Sequence, residues 1–296
     1  MKFPLSIWSA ATCCRSPSTR HVASFQSEDM SAHSKMQWRS VTQFALAAMV
    51  LLATFGAMAQ TTNALSDAEI QGRQLAQKLL DQRPSENFTN TGVMTIRDAK
   101  SHAEFSLICK IIATPTNWMS IYETTMTSSN GFTSGTRLKI VHADNQPDDY
   151  TWSRLYSAGS IPVASGMGES SWSGTQWIRP FPGSDFWAVD FGLEFLHWPG
   201  QKVLRGDTAC GRLCKVLEST NPDPSANGYS RVLCWIDNES LGIVEAKAYD
   251  AQGKLLKEFY PKDIKKVDGQ WQVGSMEIDN VQIGSRTWLK FDLKSK

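Results

Sequence analysis

From Phe88 to Leu293 the chain is built of short segments in which apolar and polar side chains alternate, separated by brief polar turns. Residues 103–113 are the clearest case: Phe105, Leu107, Cys109 and Ile111 alternate with Glu104, Ser106 and Lys110. A period of two is the repeat of a half-buried strand, because successive side chains point to opposite faces. The same reading applies to 88–97, 117–126, 136–142, 150–156, 201–206, 212–219, 229–236, 242–249, 254–260, 270–279 and 285–293. Turns such as DAKS, ADNQPDD, DNES and DAQG join them. A dozen strands with short polar connections predict an antiparallel meander.

Two stretches break the period. In the first, Ser66 and Glu69 form a capping box ahead of Ile70, Leu75, Leu79 and Leu80, and Pro84 closes the run. This predicts a helix over about 67–82. The second is FPGSDFWAVDFGLEFLHWP, from Phe181 to Pro199. Ser184 or Asp185 is placed to cap a helix, and Phe186, Val189, Leu193 and Leu196 recur at helical spacing. Asp190 and Glu194, four apart, read as its solvated face, and Pro199-Gly200 stops it. The expectation is a short helix lying across the sheet, between a first and a second set of hairpins. Before it, residues 157–180 are rich in Gly and Ser and carry Trp172 and Trp177. They read either as a loop at a cavity mouth or as an ordinary connection.

The fold class that follows is mainly β: an antiparallel, strongly curved sheet or open barrel with two helices covering its concave face. Nine tryptophans follow residue 59, enough bulk to fill a core and also to line an apolar cleft.

Upstream, Trp38-Arg39, the apolar run Phe44–Phe55 and Ala57-Met58-Ala59 have the layout of a secretory signal with an A-x-A cleavage site. The run is short of the ~20 residues a spanning helix needs. Residues 1–59 are therefore expected to be leader and signal, with Met30 or Met36 as a normal start. Residues 60–296 are expected to form one domain, soluble after cleavage near Ala59. The whole chain carries a net charge of +1; losing Lys2, Arg15, Arg20, Lys35 and Arg39 against Glu28 and Asp29 leaves −2. That balance lacks the basic footprint of a nucleic-acid binder.

The sequence contains no G-x-S-x-G, H-E-x-x-H, P-loop or dinucleotide fingerprint, and no cofactor is expected. His102, His142 and His197 are scattered and read as surface or core residues. Asp185, Asp190 and His197 would support a hydrolase only if the fold gathered them in one pocket. Cys210 and Cys214 lack the second ligand pair of a zinc site, and no metal is expected. An exported chain permits disulfides. If Glu218 lies opposite Ser230 in the hairpin around NPDPSANG, Cys214 faces Cys234 at bridging distance. The alternative is two buried thiols.

The order of these elements, with Gly183-Ser-Asp-Phe186 before a helix ending in Trp-Pro, GRLCKVLES, and Trp271 to Phe291 containing Ser285-Arg-Thr287, resembles the outer-membrane lipoprotein-sorting protein family of the LolA-like superfamily. The resemblance spans nearly all of 60–296. It implies a LolA/LolB-like open barrel with helices as a lid over an apolar cavity, and a periplasmic carrier or binder of lipoprotein acyl chains or other envelope lipids. The expected partners are that cargo and inner- or outer-membrane proteins. The other readings are an envelope sensor or interaction module of the same fold and, more remotely, the hydrolase. Phe186, Trp187, Leu193 and Leu196 are the expected helix lining of the cavity, and Trp118, Tyr122 and Trp152 the sheet lining. Arg97 and Arg137 are the candidates for the arginine that locks the lid in those carriers.

Overall fold

A computed structural model describes residues 65–293, apart from 145, 159–163, 166–169, 173–177, 226 and 268–269. Leu65–Lys296 fall within one compact unit. The proposed leader and signal, and most of the Gly/Ser-rich stretch with Trp177, lie outside the described residues. Among the described residues, no helix is long and apolar enough to cross a membrane.

Twelve long strands occur where alternation predicts them: β1 (Phe88–Arg97), β2 (His102–Ala113), β3 (Asn117–Thr127), β4 (Phe132–Ala143), β5 (Asp149–Ala158), β8 (Gly200–Ala209), β9 (Arg212–Thr220), β10 (Arg231–Asp237), β11 (Ile243–Tyr249), β12 (Leu255–Val267), β13 (Gln270–Asn280) and β14 (Ser285–Asp292). Two short pieces not foreseen, β6 (Ala164–Ser165) and β7 (Ser170–Trp172), pair with β5. All belong to one antiparallel sheet in the order β6-β5-β4-β3-β2-β1-β14-β13-β12-β11-β10-β9-β8, with β7 off this path against β5. The chain thus starts mid-sheet at β1, runs outward to β5, crosses to the opposite edge at β8, and returns inward until β14 pairs with β1. No ladder joins the two edges among the described residues, so this is an open, curled sheet rather than a closed barrel.

The first helix, α1 (Asp67–Leu80), has the predicted capping box: Ser66 Oγ accepts from Glu69 N–H, and the Glu69 carboxylate accepts from Ser66 N–H at 2.8 Å. Leu75, Ala76 and Leu79 are buried, whereas Ile70 is exposed. α1 packs chiefly on β8, the terminal strand. Gly72 makes that possible, since a Cβ there would sit 2.4 Å from the backbone nitrogen of Lys202.

The crossing segment differs from the single helix expected. It forms α2 (Ala188–Gly192), then Leu193 in a left-handed conformation (φ 53°), then a 3-10 turn over Glu194–His197. Its cap is Trp187, whose N–H donates to Asp190 Oδ2 at 2.7 Å, not Ser184 or Asp185. Nor do Asp190 and Glu194 form a solvated face, for both are buried. The break at Leu193 turns the two halves, so four-residue spacing no longer places side chains on a common outer face.

The cysteine pairing is also corrected. β9 and β10 pair with Glu218 opposite Leu233, which places Cys214 opposite Asp237 and Cys234 opposite Leu217. Relative to the assumed register the slip is an odd number of residues, which turns one thiol to the other face. Cys234 joins the main core, while Cys214 lies in a small cluster with Val216, Trp235 and Val244. Neither forms a disulfide.

Candidate functional site

The crossing segment is fixed by two buried carboxylates. Asp185 accepts hydrogen bonds from the hydroxyls of Ser285 and Thr287 (2.9 Å for Thr287), and its own N–H donates to Thr287 Oγ1 at 3.0 Å. The two motifs on which the resemblance rested, Gly183–Phe186 and Ser285–Thr287, are therefore in contact. Within the turn, Ser184 Oγ donates to Phe181 O at 2.8 Å and Phe181 N–H donates to Phe186 O at 2.7 Å.

Asp190 accepts from Tyr229 Oη at 2.9 Å and lies 3.7 Å from Lys257 Nζ. Lys257, from β12, is fully buried; its ammonium donates to Asp185 O at 2.7 Å and sits 3.4 Å from the centre of the Trp187 ring. Burial pulls Lys257 down to about 7 and raises Asp190, each against the other's charge. At the far end, Gln201 Nε2 donates to the carbonyls of Phe195 (2.8 Å) and Trp198 (2.9 Å), which satisfies acceptors that the 3-10 turn leaves open.

Between α1, the crossing segment and the sheet lies a cavity of about 420 Å³. Of the seven residues expected to line it, Leu193, Leu196, Trp118 and Tyr122 do so. Phe186, Trp187 and Trp152 do not. Phe186 precedes the first turn of α2 and is sealed in the core against Phe191; Trp187 stacks on Tyr229 at 4.8 Å; Trp152 packs against Phe181 at 5.8 Å. The apolar wall is completed by Leu80 of α1 and Phe191. Sequence reasoning missed Phe191 because the helix was assumed unbroken. Arg137 is held by Glu123 of the neighbouring strand at 2.9 Å, so it is tied across the sheet.

A second wall is polar and was not foreseen as a unit. His142, at the penultimate position of β4, Asp148, before β5, and His197, on the 3-10 turn, line it; Glu194, on the same turn, is buried beside them. His142 Nδ1 is 2.8 Å, and His197 Nε2 3.7 Å, from the Asp148 carboxylate. Ser120 Oγ meets His142 Nε2 at 3.0 Å, and Trp118 stacks on the His142 ring. Tyr150 Oη donates to Glu194 Oε2 at 3.1 Å. That approach needs Gly192, where a Cβ would lie 2.1 Å from the Tyr150 oxygen. Burial and the charge of Asp148 push the Glu194 carboxyl up to about 8, and burial holds His197 below its ordinary value. The sequence signal was faint: His142 and Asp148 merely flank a hairpin turn, and Glu194 looked like surface. Of the three residues a hydrolase would gather, Asp190 and His197 line the cavity, while Asp185 is engaged with Ser285 and Thr287 and does not.

A DUF1329 family protein from Desulfovibrio piger is similar at 20% identity with a TM-score of 0.60, covering 77% of this chain and 92% of that one. A putative outer membrane lipoprotein-sorting protein domain from Vibrio parahaemolyticus is similar at 19% identity with a TM-score of 0.60, covering 76% and 92%. The chain has the fold of the lipoprotein-sorting proteins. The resemblance read from the sequence is thereby borne out at the level of the fold. A LolA superfamily protein from Nitrosomonas europaea is more distant, at 16% identity with a TM-score of 0.49, covering 78% and 94%. Residues 171–294 match the model of a family described as an uncharacterized protein. No curated protein matches.

Proposed function

We propose that this chain is a periplasmic carrier or binder that shelters the acyl chains of lipoproteins or of other envelope lipids, without covalent chemistry. The observation that carries the reading is the cavity of about 420 Å³ between the sheet and the two helical segments. Its size falls in the range of about 300–1,000 Å³ typical of small-molecule sites. Leu80, Trp118, Phe191, Leu193 and Leu196 give it an apolar wall. Each methylene buried there contributes about 0.8 kcal/mol, so a few contacts suffice for binding and no catalyst is needed. The signal-like segment ending at Ala59 agrees with a periplasmic site of action.

Native mass spectrometry with lipid extraction tests the reading on protein purified from the periplasmic fraction. A stoichiometric lipid or acylated peptide is expected, and Leu80→Lys should weaken its retention at least tenfold. Leu80 is half-buried on α1, so a charge there enters the cavity wall without entering the core. A clean apo mass with no uptake of added lipid would overturn the carrier reading and leave an interaction module of the same fold.

A further inference from the structure

Beside the polar wall of the cavity lies a ligand set that lipid binding does not explain. Asp148, Glu194 and His197 each offer one ligand atom, and these atoms lie within 4.8 Å of one another. They come from two separate elements, the β4–β5 turn and the 3-10 turn, so their convergence is a product of the fold and not of adjacency. We propose that these three residues hold a divalent metal ion of the zinc class, with the remaining coordination position open to the cavity.

An independent observation points the same way. Asp148 is only 5% exposed, yet its Oδ2 has no hydrogen-bond partner among the described residues. His142 Nδ1 lies 2.8 Å from that oxygen as an ionic contact. The Nε2 of His197 likewise has none. Buried polar groups are seldom left so, because each one without a partner costs free energy. A cation between His197 Nε2 and Asp148 Oδ1, 3.7 Å apart, would give the imidazole nitrogen a partner and offset the charge of the Asp148 carboxylate.

The chemistry of the set is specific. One imidazole and two carboxylates suit zinc and its neighbours, which take nitrogen and oxygen ligands. The 3.7 Å between His197 Nε2 and Asp148 Oδ1 is near the edge of a tetrahedron with bonds of about 2.1 Å, roughly 3.4 Å. The supporting residues are those a metal site requires. Ser120 holds His142 against Asp148, and Tyr150 holds Glu194, fixing the orientation of both carboxylates. Asp148 and His197 line the cavity, so a bound ion would present its open position to whatever the cavity contains. A carboxylate, phosphate or water oxygen fits that position. The site stands whether or not the cavity carries an acyl chain.

The test uses the purified protein with any affinity tag removed and its metals stripped by chelator. Titration with zinc chloride is followed by calorimetry and by elemental analysis after dialysis. One zinc per chain is expected, with a higher melting temperature. Asp148→Asn and His197→Gln should each weaken uptake by at least tenfold, and His142→Gln by about 10- to 100-fold, as loss of an orienting partner does. Absence of stoichiometric uptake by the wild type, or unchanged affinity in both ligand variants, would overturn the proposal. Should the variants fail to fold, cobalt(II) added to the wild type decides: intense visible absorption of four-coordinate cobalt supports the site, and the weak spectrum of the hexaaquo ion overturns it. Lipid extraction of the same preparation reads the carrier function separately, so zinc without lipid would sink only that reading.

Discussion

Lys257 sits beneath Trp187 with its ammonium between Asp190 and the carbonyl of Asp185, and no part of it reaches solvent. Nothing in KLLKEF marks that lysine off from its neighbours, because alternation predicts only that one face of β12 is buried, not that a cation lies on it. What burial does to it is measurable. In the folded chain Lys257 is pulled down to about 7, while the unfolded chain holds its proton up to the ordinary lysine value of 10.5. Between those limits the unfolded state binds more protons, so this group's contribution to stability rises with pH and is lost as pH falls through 7. Wild type is therefore expected to gain on Lys257→Met by up to about 1.4 kcal/mol per pH unit in that window, measured by urea unfolding of both proteins. A constant difference between them from pH 7 to 10.5 would show that the lysine stays charged.

At the scale of elements, the strands and α1 were legible and the crossing was not. Alternation fixes strands because one face must be buried, and the capping box places the start of α1 to within a residue. Register carries no such local signal: β9 and β10 slide past the assumed pairing, and Cys214 and Cys234 part to opposite faces. The break at Leu193 is equally hidden, since leucine gives no hint of a left-handed residue. That break helps decide which side chains face the cavity: Leu193 and Leu196 line it and Phe186 does not. The docking of α1 makes a separate prediction. Gly72 lets the helix backbone press on Gln201 and Lys202 of β8, where an added Cβ would approach within 2.4 Å. Gly72→Val should lift α1, cost about 1–3 kcal/mol as overpacking does, and weaken ligand retention by loosening the wall that holds Ala76 and Leu80. Thermal unfolding and lipid retention would be read together; an unaffected Tm would mean that α1 is not seated on β8 in solution.

For the molecule as a whole, the order of strands means that the first and last long strands, β1 and β14, pair in the middle of the sheet. Strands β1–β5 and β8–β14 are therefore joined twice: by that ladder, and by the crossing segment that Asp185 bolts to Thr287 of β14. Folding of either half exposes the seam that the other covers, so the two should unfold as one cooperative unit. Thr287→Val tests this where the bolt meets the seam. It keeps the shape of a fully buried side chain but removes the hydroxyl that donates to the Asp185 carboxylate at 2.9 Å and accepts from its N–H at 3.0 Å. Hydrogen bonds to charged groups contribute about 1.5–3 kcal/mol each, and the carboxylate would be left with Ser285 as its remaining hydroxyl donor. The expected result is a loss of about 3 kcal/mol in a single transition, with circular dichroism and tryptophan fluorescence still coincident. Tryptophans occur in both halves, at Trp118 and Trp152 on one side and Trp235 and Trp288 on the other, so fluorescence reports on each. Two separated transitions would show instead that the ladder between β1 and β14 is too weak to couple the halves, and that the Asp185–Thr287 contact is what makes them one body.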